Sequence, residues 1–300
     1  MQNINNLDFP QKLANELWTW VENKRSMENR PHVIYHFTDI EGMIGIYNER
    51  TLWATHASSL NDVTEILYGI DIAKKHVLAR LNPLPNATSI PHVSLPAKYN
   101  DILEAVYKFL GEPSKEYETF VISFCGNIDK SMHWLHYGRG GKGVALGFDP
   151  SVIEQGGFLL FPIEYDKSKF ERFVDDVMTK VQEVLDKCHM VDNSDAIDSE
   201  GRIVSSFFKL NAIRFKDECF SGEEEWRLIR WMKASKDNSF RTNFRALNNR
   251  VIPYIKLNFR MPSLKEIVLG HSSSMNKDDE GLTMLVGEGT DVRKSNVPVR

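Results

Sequence analysis

Val33-Ile34-Tyr35-His36-Phe37-Thr38-Asp39-Ile40-Glu41 is the stretch that decides the fold. Its first five residues are mostly β-branched or aromatic, the composition of a short and largely buried strand. Thr38 and Glu41 stand three apart at its end, as in a capping box whose hydroxyl and carboxylate satisfy the orphan amides of a first helical turn. A strand therefore runs straight into a helix over 40–48, with Ile40, Met43, Ile44 and Tyr47 on its apolar stripe. Alternation in the strand turns His36 to one face and Tyr35 and Phe37 to the other.

Upstream, Asp8-Phe9-Pro10 opens a helix in which Phe9, Leu13, Leu17, Trp20 and Val21 recur at helical spacing. Residues 1–30 are read as an N-terminal helical extension and 31–300 as a single α+β domain. Downstream come a strand at Leu52-Trp53-Ala54-Thr55, a helix over 63–81 capped by Asp62, and a loop over 82–96 holding four of the 12 prolines. A helix over 102–110, a strand over 120–124 and a short helix over 131–137 capped by Ser131 follow. Gly138, Gly140, Gly141 and Gly143 then turn the chain into a strand over 144–148, which Asp149-Pro150 ends. Another strand spans 158–165. A charged helical insertion covers about 167–215, and strands return at 225–231, 251–259 and 267–269. A short helix over 282–286 precedes an edge segment. Strands and helices interspersed without a regular βαβ rhythm give an α+β fold: a mostly antiparallel, twisted sheet with helices packed around it.

Apolar residues make up 42% of the 300 and charged residues 26%, ordinary globular values, and the net charge of −4 excludes a globally basic nucleic-acid coat. Cys125, Cys188 and Cys219 form no CxxC pair, so neither a disulfide framework nor a zinc ribbon is expected, and a reducing cytoplasm fits. No apolar run approaches the roughly 18 residues of a membrane span, and the N-terminus lacks the pattern of a secretory signal. The expectation is a soluble cytoplasmic protein without membrane association.

Three clusters offer chemistry. Around the first strand, His36 and Thr38 are joined by Trp53, Thr55 and Asn61-Asp62, polar groups at strand ends where a cleft would open. In the second, Ser123-Phe124 precedes Trp134, Tyr137 and the glycine cluster, which would hold a planar ligand by stacking. A glycine cluster followed by a strand has the wrong order for a phosphate loop, which opens a helix. The third is Glu223-Glu224-Glu225-Trp226-Arg227. On a strand Glu223 and Glu225 share one face with Arg227, so Arg227 can pair with Glu225. Paired carboxylates orient sugar hydroxyls, stabilise an oxocarbenium-like centre or act as bases; they also serve simply as a charged strand edge. No convergent metal-ligand set appears, and no metal is expected.

The ordered set Tyr35-His36-Phe37-Thr38, Leu52-Trp53-Ala54-Thr55, Leu60-Asn61-Asp62 with Glu65, Ser123-Phe124, Met132–Gly138, Gly143–Phe148, Glu223–Arg227 and Ile267–Gly270 resembles a bacterial family catalogued as a domain of unknown function. The order of histidine, serine-aromatic and Glu-x-Glu is also similar to the ADP-ribosyltransferase superfamily. That second resemblance implies a split-sandwich sheet and NAD as substrate. It makes Glu225 the catalytic carboxylate and Glu223 the group that orients an acceptor. It places His36, Thr38, Trp53, Thr55, Ser123, Phe124, Trp134, Tyr137 and Arg227 around the cofactor. The acceptor, protein or nucleic acid, is left open, as is oligomerisation, and the first resemblance, to the uncharacterised family, implies a role in phage defence or a toxin system. Two alternatives stand beside the transferase or NAD glycohydrolase. One is a non-catalytic module that senses a nucleotide or a partner. The other is a metal-dependent nucleic-acid hydrolase using His36, Asp62 and Glu65, with Arg241–Arg250 on phosphates.

Overall fold

The computed structural model describes residues 9–25, 30–60, 64–82, 97–112, 117–187, 194–233, 242–247, 249–287 and 289–298. Helix α1 (Phe9–Arg25) precedes strand β1 (Ile34–Thr38), helix α2 (Ile40–Glu49) and strand β2 (Thr51–His56). Helices α3 (Thr64–Leu81) and α4 (Ala97–Leu110) lead to strand β3 (Tyr117–Cys125), helix α5 (Ser131–His136), strand β4 (Val144–Phe148), helix α6 (Pro150–Ile153) and strand β5 (Leu159–Pro162). Helices α7 (Lys167–Lys187) and α8 (Ser194–Ala212) come next. Strands β6 (Glu225–Lys233), β7 (Asn243–Leu247), β8 (Arg250–Asn258) and β9 (Leu264–Leu269), helix α9 (Glu280–Val286) and strand β10 (Asp291–Lys294) complete the described chain.

The expected α+β class holds: among the described residues a mostly antiparallel ten-stranded sheet runs in the order β10-β9-β4-β1-β3-β2-β8-β7, with β6 pairing both β3 and β5. Parallel pairing occurs between β9 and β10. The chain divides into two compact units. One holds α1, α3, α4, α7 and α8, spanning Met1–Glu28, Asp62–Tyr117 and Glu164–Glu218. Its interior is apolar at helical spacing, with Leu13, Leu17, Val77, Ile102, Val106, Val174, Val181 and Phe208 fully buried. Gly201 lets α8 approach α4 so closely that a Cβ would strike Ala105. Helices α7 and α8 lie in sequence between β5 and β6, which pair with each other.

The other unit holds the sheet. Its core gathers Ile34, Leu52, Ala54, Ile122, Phe124, Leu146, Phe148, Leu228, Ile255, Leu257 and Ile267 from successive strands. A second cluster on the other side of β1 joins Tyr35 and Phe37 to Trp134, Ala145 and Val268. The alternation expected for β1 is thus realised, with Tyr35 and Phe37 together and His36 apart. The glycine turn enters β4 through a 3₁₀ turn at Arg139–Gly141, where Gly141 takes φ +82° and its missing Cβ leaves room for the His271 imidazole.

Two caps differ from expectation. Asp39 rather than Thr38 caps α2, its carboxylate accepting the Gly42 amide at 2.8 Å, because the chain leaves the strand one residue later than the capping-box spacing implies. Helix α5 starts after Lys130, which makes no side-chain cap, so Ser131 lies inside the helix instead of capping it. Asp8 and Asp62, the other expected caps, lie outside the described residues.

Candidate functional site

Strand β3 changes partners along its length, and a groove opens where they part. β1 meets it at the single register position Tyr35↔Cys125, and β2 at Thr55↔Val121 and His56↔Phe120. Residues 36–38 of β1 and 51–54 of β2 thus lie outside the registered pairs with β3. Helix α2 carries the chain between these two strands, both antiparallel to β3. The groove encloses about 700 Å³ and is lined from β1 (His36, Thr38), α2 (Asp39, Glu41, Gly42, Gly45, Ile46, Glu49), β2 (Thr51, Trp53, Thr55), β3 (Val121, Ile122, Ser123) and β7 (Arg245, Ala246, Leu247), with Ser59 and Leu60. That is the scale of a small-molecule site.

His36 spans the parted strands: its Nδ1 lies 3.0 Å from the Ser123 carbonyl, and its ring meets Phe124 edge-on at 5.7 Å. A carbonyl only accepts, so Nδ1 carries the proton. Burial holds the pKa below the ordinary histidine value, and the charge of Arg245 acts in the same direction. The imidazole is therefore neutral at neutral pH, with Nε2 as its lone-pair nitrogen.

The opposite wall is aromatic and cationic. The β2–β8 register sets Trp53 against Lys256, which places Tyr254 diagonally beside it on the same face. The two rings stack at 4.4 Å and 24°, while Trp53 keeps 38% of its surface exposed. Asn243 pairs with Tyr254 across β7–β8, so Arg245, two residues on, shares that face. Its guanidinium lies 5.7 Å from the Trp53 ring and 5.9 Å from Tyr254, and Nη2 donates to Thr55 Oγ1 at 2.9 Å. No carboxylate among the described residues pairs with Arg245, its Nε is buried without an acceptor, and burial lowers its pKa. The groove's own carboxylates are engaged elsewhere in two cases: Asp39 with Arg139 at 2.8 Å and Glu49 with Lys256 at 2.7 Å.

Five of the sequence-predicted residues meet here: His36, Thr38, Trp53, Thr55 and Ser123. The other six do not line the groove. Phe124 and Trp134 are core residues; Trp134 is fully buried, packed edge-on against Phe37 and donating through Nε1 to the Ile128 carbonyl, so its faces are not offered to a ligand. Glu223 is not on a strand. It ends a 3₁₀ turn over Glu218–Glu223, and Glu224 at φ +43° breaks the alternation before β6 begins at Glu225. The common strand face expected for Glu223 and Glu225 is lost at that bend. Glu223 accepts the Tyr137 hydroxyl at 2.8 Å. Glu225, 7% exposed, takes Nε and Nη2 of Arg227, 3% exposed, at 2.7 and 2.9 Å, the pairing that the spacing allowed. The bend is clamped: Lys130 pairs with Glu224 at 2.7 Å, Gly126 N–H donates to the Glu224 carbonyl, and the buried His133 ring contacts the carbonyls of Asn127 and Glu223 at 3.0 and 2.9 Å.

Sequence reading missed Tyr254 and named Arg245 only within the basic stretch Arg241–Arg250 of the hydrolase alternative. The alternation from Asn243 to Leu247, ending in Asn248-Asn249 before Val251, is a hairpin signal that would have placed Arg245 on a strand. Asp62 and the Glu65 side chain lie outside the described residues. Among the described residues no group of three or more His, Cys, Asp or Glu side chains is placed to hold a metal ion, and no helix is long and apolar enough to cross a membrane. No curated protein and no solved structure matches the chain. Residues 133–228, a stretch that carries the clamped bend and none of the groove, match the family described as protein of unknown function (DUF2971).

Proposed function

We propose that this chain binds a nucleotide in the groove between β1, β2, β3 and β7. The observation that carries the reading is the half-exposed Trp53 ring, stacked on Tyr254, across one groove from a neutral histidine. A base lies against the Trp53 face, since stacking on an aromatic ring accommodates any base. A sugar hydroxyl or exocyclic amine donates to His36 Nε2, and the hydroxyls of Thr38, Thr55 and Ser123 complete a polar lining suited to ribose.

NAD falls within this ligand class. Transfer of ADP-ribose from it needs a carboxylate beside the ribose, and Glu225 is held by Arg227 outside the groove lining. The arrangement therefore favours the sensing module over the transferase or glycohydrolase. A role in phage defence or a toxin system rests on the resemblance alone.

The test is to incubate the protein with NAD and with common nucleotides while following melting temperature and nicotinamide release. The reading expects a rise in melting temperature without release. Nicotinamide release that disappears in Glu225→Gln would replace it with the transferase. If release occurs and survives that change, Glu41, a groove carboxylate with no partner among the described residues, is the next residue to substitute.

A further inference from the structure

We infer that Arg245 is an anion receptor, so that the ligand is a phosphorylated nucleotide held by its phosphate and not a nucleoside or free base. This rests on the reading of the groove as a nucleotide site and narrows it.

The inference starts from an imbalance of charge. Elsewhere in the sheet unit, Arg227 pairs with Glu225 and Arg293 with Glu266 at 2.6 Å, while Arg230, also desolvated, donates to the Gly156 carbonyl. Arg245 has a hydroxyl, Thr55 Oγ1, and two aromatic rings. A cation removed from water without a counter-ion is unfavourable, and a protein keeps one where an anion arrives from outside. A guanidinium offers five N–H donors in a planar fork. Thr55 takes one and Nε is buried, so the remaining Nη hydrogens are the ones a ligand oxygen would meet. Trp53 lies 5.7 Å from the guanidinium, which sets a stacking platform and an anion donor side by side.

Two of the three carboxylates that line the groove have partners other than Arg245. Asp39 is fixed by the Gly42 amide and Arg139, and Glu49 by Lys256 and Thr51. Glu41, the third, pairs with no described residue, Arg245 included, so the groove lining supplies the guanidinium with no carboxylate.

The experiment is a calorimetric titration of the full chain with the four common ribonucleosides, their 5′-monophosphates, NAD and inorganic phosphate. At least one monophosphate should bind tenfold or more tightly than its nucleoside, a charge-assisted hydrogen bond contributing about that factor. Arg245→Gln should bring the monophosphate down to the nucleoside's affinity, and Arg245→Lys should recover part of the difference. Trp53→Ala should weaken nucleoside and monophosphate alike. Without ligand, Arg245→Gln should melt at or above the wild-type temperature, because the change removes an uncompensated charge. A guanidinium with a purely structural role predicts a lower one.

Equal binding of nucleoside and monophosphate, with Arg245→Gln neutral towards both, overturns the inference while the Trp53-dependent groove stands. Phosphate bound as tightly as any nucleotide, with Trp53→Ala silent, keeps the anion site and overturns the nucleotide. Failure of every probe overturns both.

Discussion

The groove and the clamped bend at 223–227 belong to the same unit and contain the same kinds of residues, yet treat them in opposite ways. In the bend, Glu223 is held by Tyr137, Glu224 by Lys130 and Glu225 by Arg227, and both ring nitrogens of His133 face carbonyls. In the groove, Arg245 has no carboxylate, Trp53 shows over a third of its surface, and His36 Nε2 has no protein partner among the described residues. Polar groups whose partners lie within the chain hold it together; those left incomplete are where a ligand finishes the site. The charged motif that looked most chemical in the sequence is the one whose valences the fold consumes.

The comparison breaks most visibly at Arg227. Arg227→Met strands a buried carboxylate and should lower stability by about 3–5 kcal/mol in chemical denaturation. A loss below about 1 kcal/mol would mean that the bend is not a structural clamp. Trp53→Ala should cost less stability than Arg227→Met, about 1–2 kcal/mol through the lost stack on Tyr254, while weakening nucleotide binding by about 1–3 kcal/mol. Unaltered affinity would remove the stacking platform from the groove. At the groove's rim, Asp39→Ala should cost about 1 kcal/mol of stability through loss of the α2 cap, with Thr38→Ala smaller, checked by thermal melting of the two variants side by side.

A smaller effect sharpens the contrast through pH. Because the folded chain holds His36 below its ordinary pKa, the unfolded chain takes up a proton first as pH falls. The contribution is complete above the unfolded histidine value of about 6.5 and is lost progressively below it. His56 and His133 are lowered by burial too, so the measurement is a difference: the acid-side fall in stability should be shallower in His36→Asn than in wild type. Parallel profiles would show that His36 is not desolvated.

How much of this was legible in the sequence depended on whether the deciding interactions were local. The β1 strand, its succession by α2, the glycine turn into β4 and the pairing of Arg227 with Glu225 follow from periods and spacings a few residues long. The Glu223–Glu225 face did not survive because Glu224 adopts φ +43°, a backbone choice set by Gly126, Lys130 and His133, all about ninety residues away. Trp134 read as a ligand platform because an aromatic beside glycines looks the same whether buried or open; the Phe37 and His271 rings around it decide the matter. Arg245 was hidden by strand registry, which sets it diagonally from Trp53 only once β2, β8 and β7 are paired.

The central claim is that ligand belongs to the open groove and not to the closed bend. It is tested most directly by nucleotide affinity in Trp53→Ala and Glu225→Gln, measured by titration on protein confirmed to be folded. Tenfold or greater weakening in Trp53→Ala with unchanged affinity in Glu225→Gln is the predicted result. Weakening in Glu225→Gln with Trp53→Ala unaffected would contradict it.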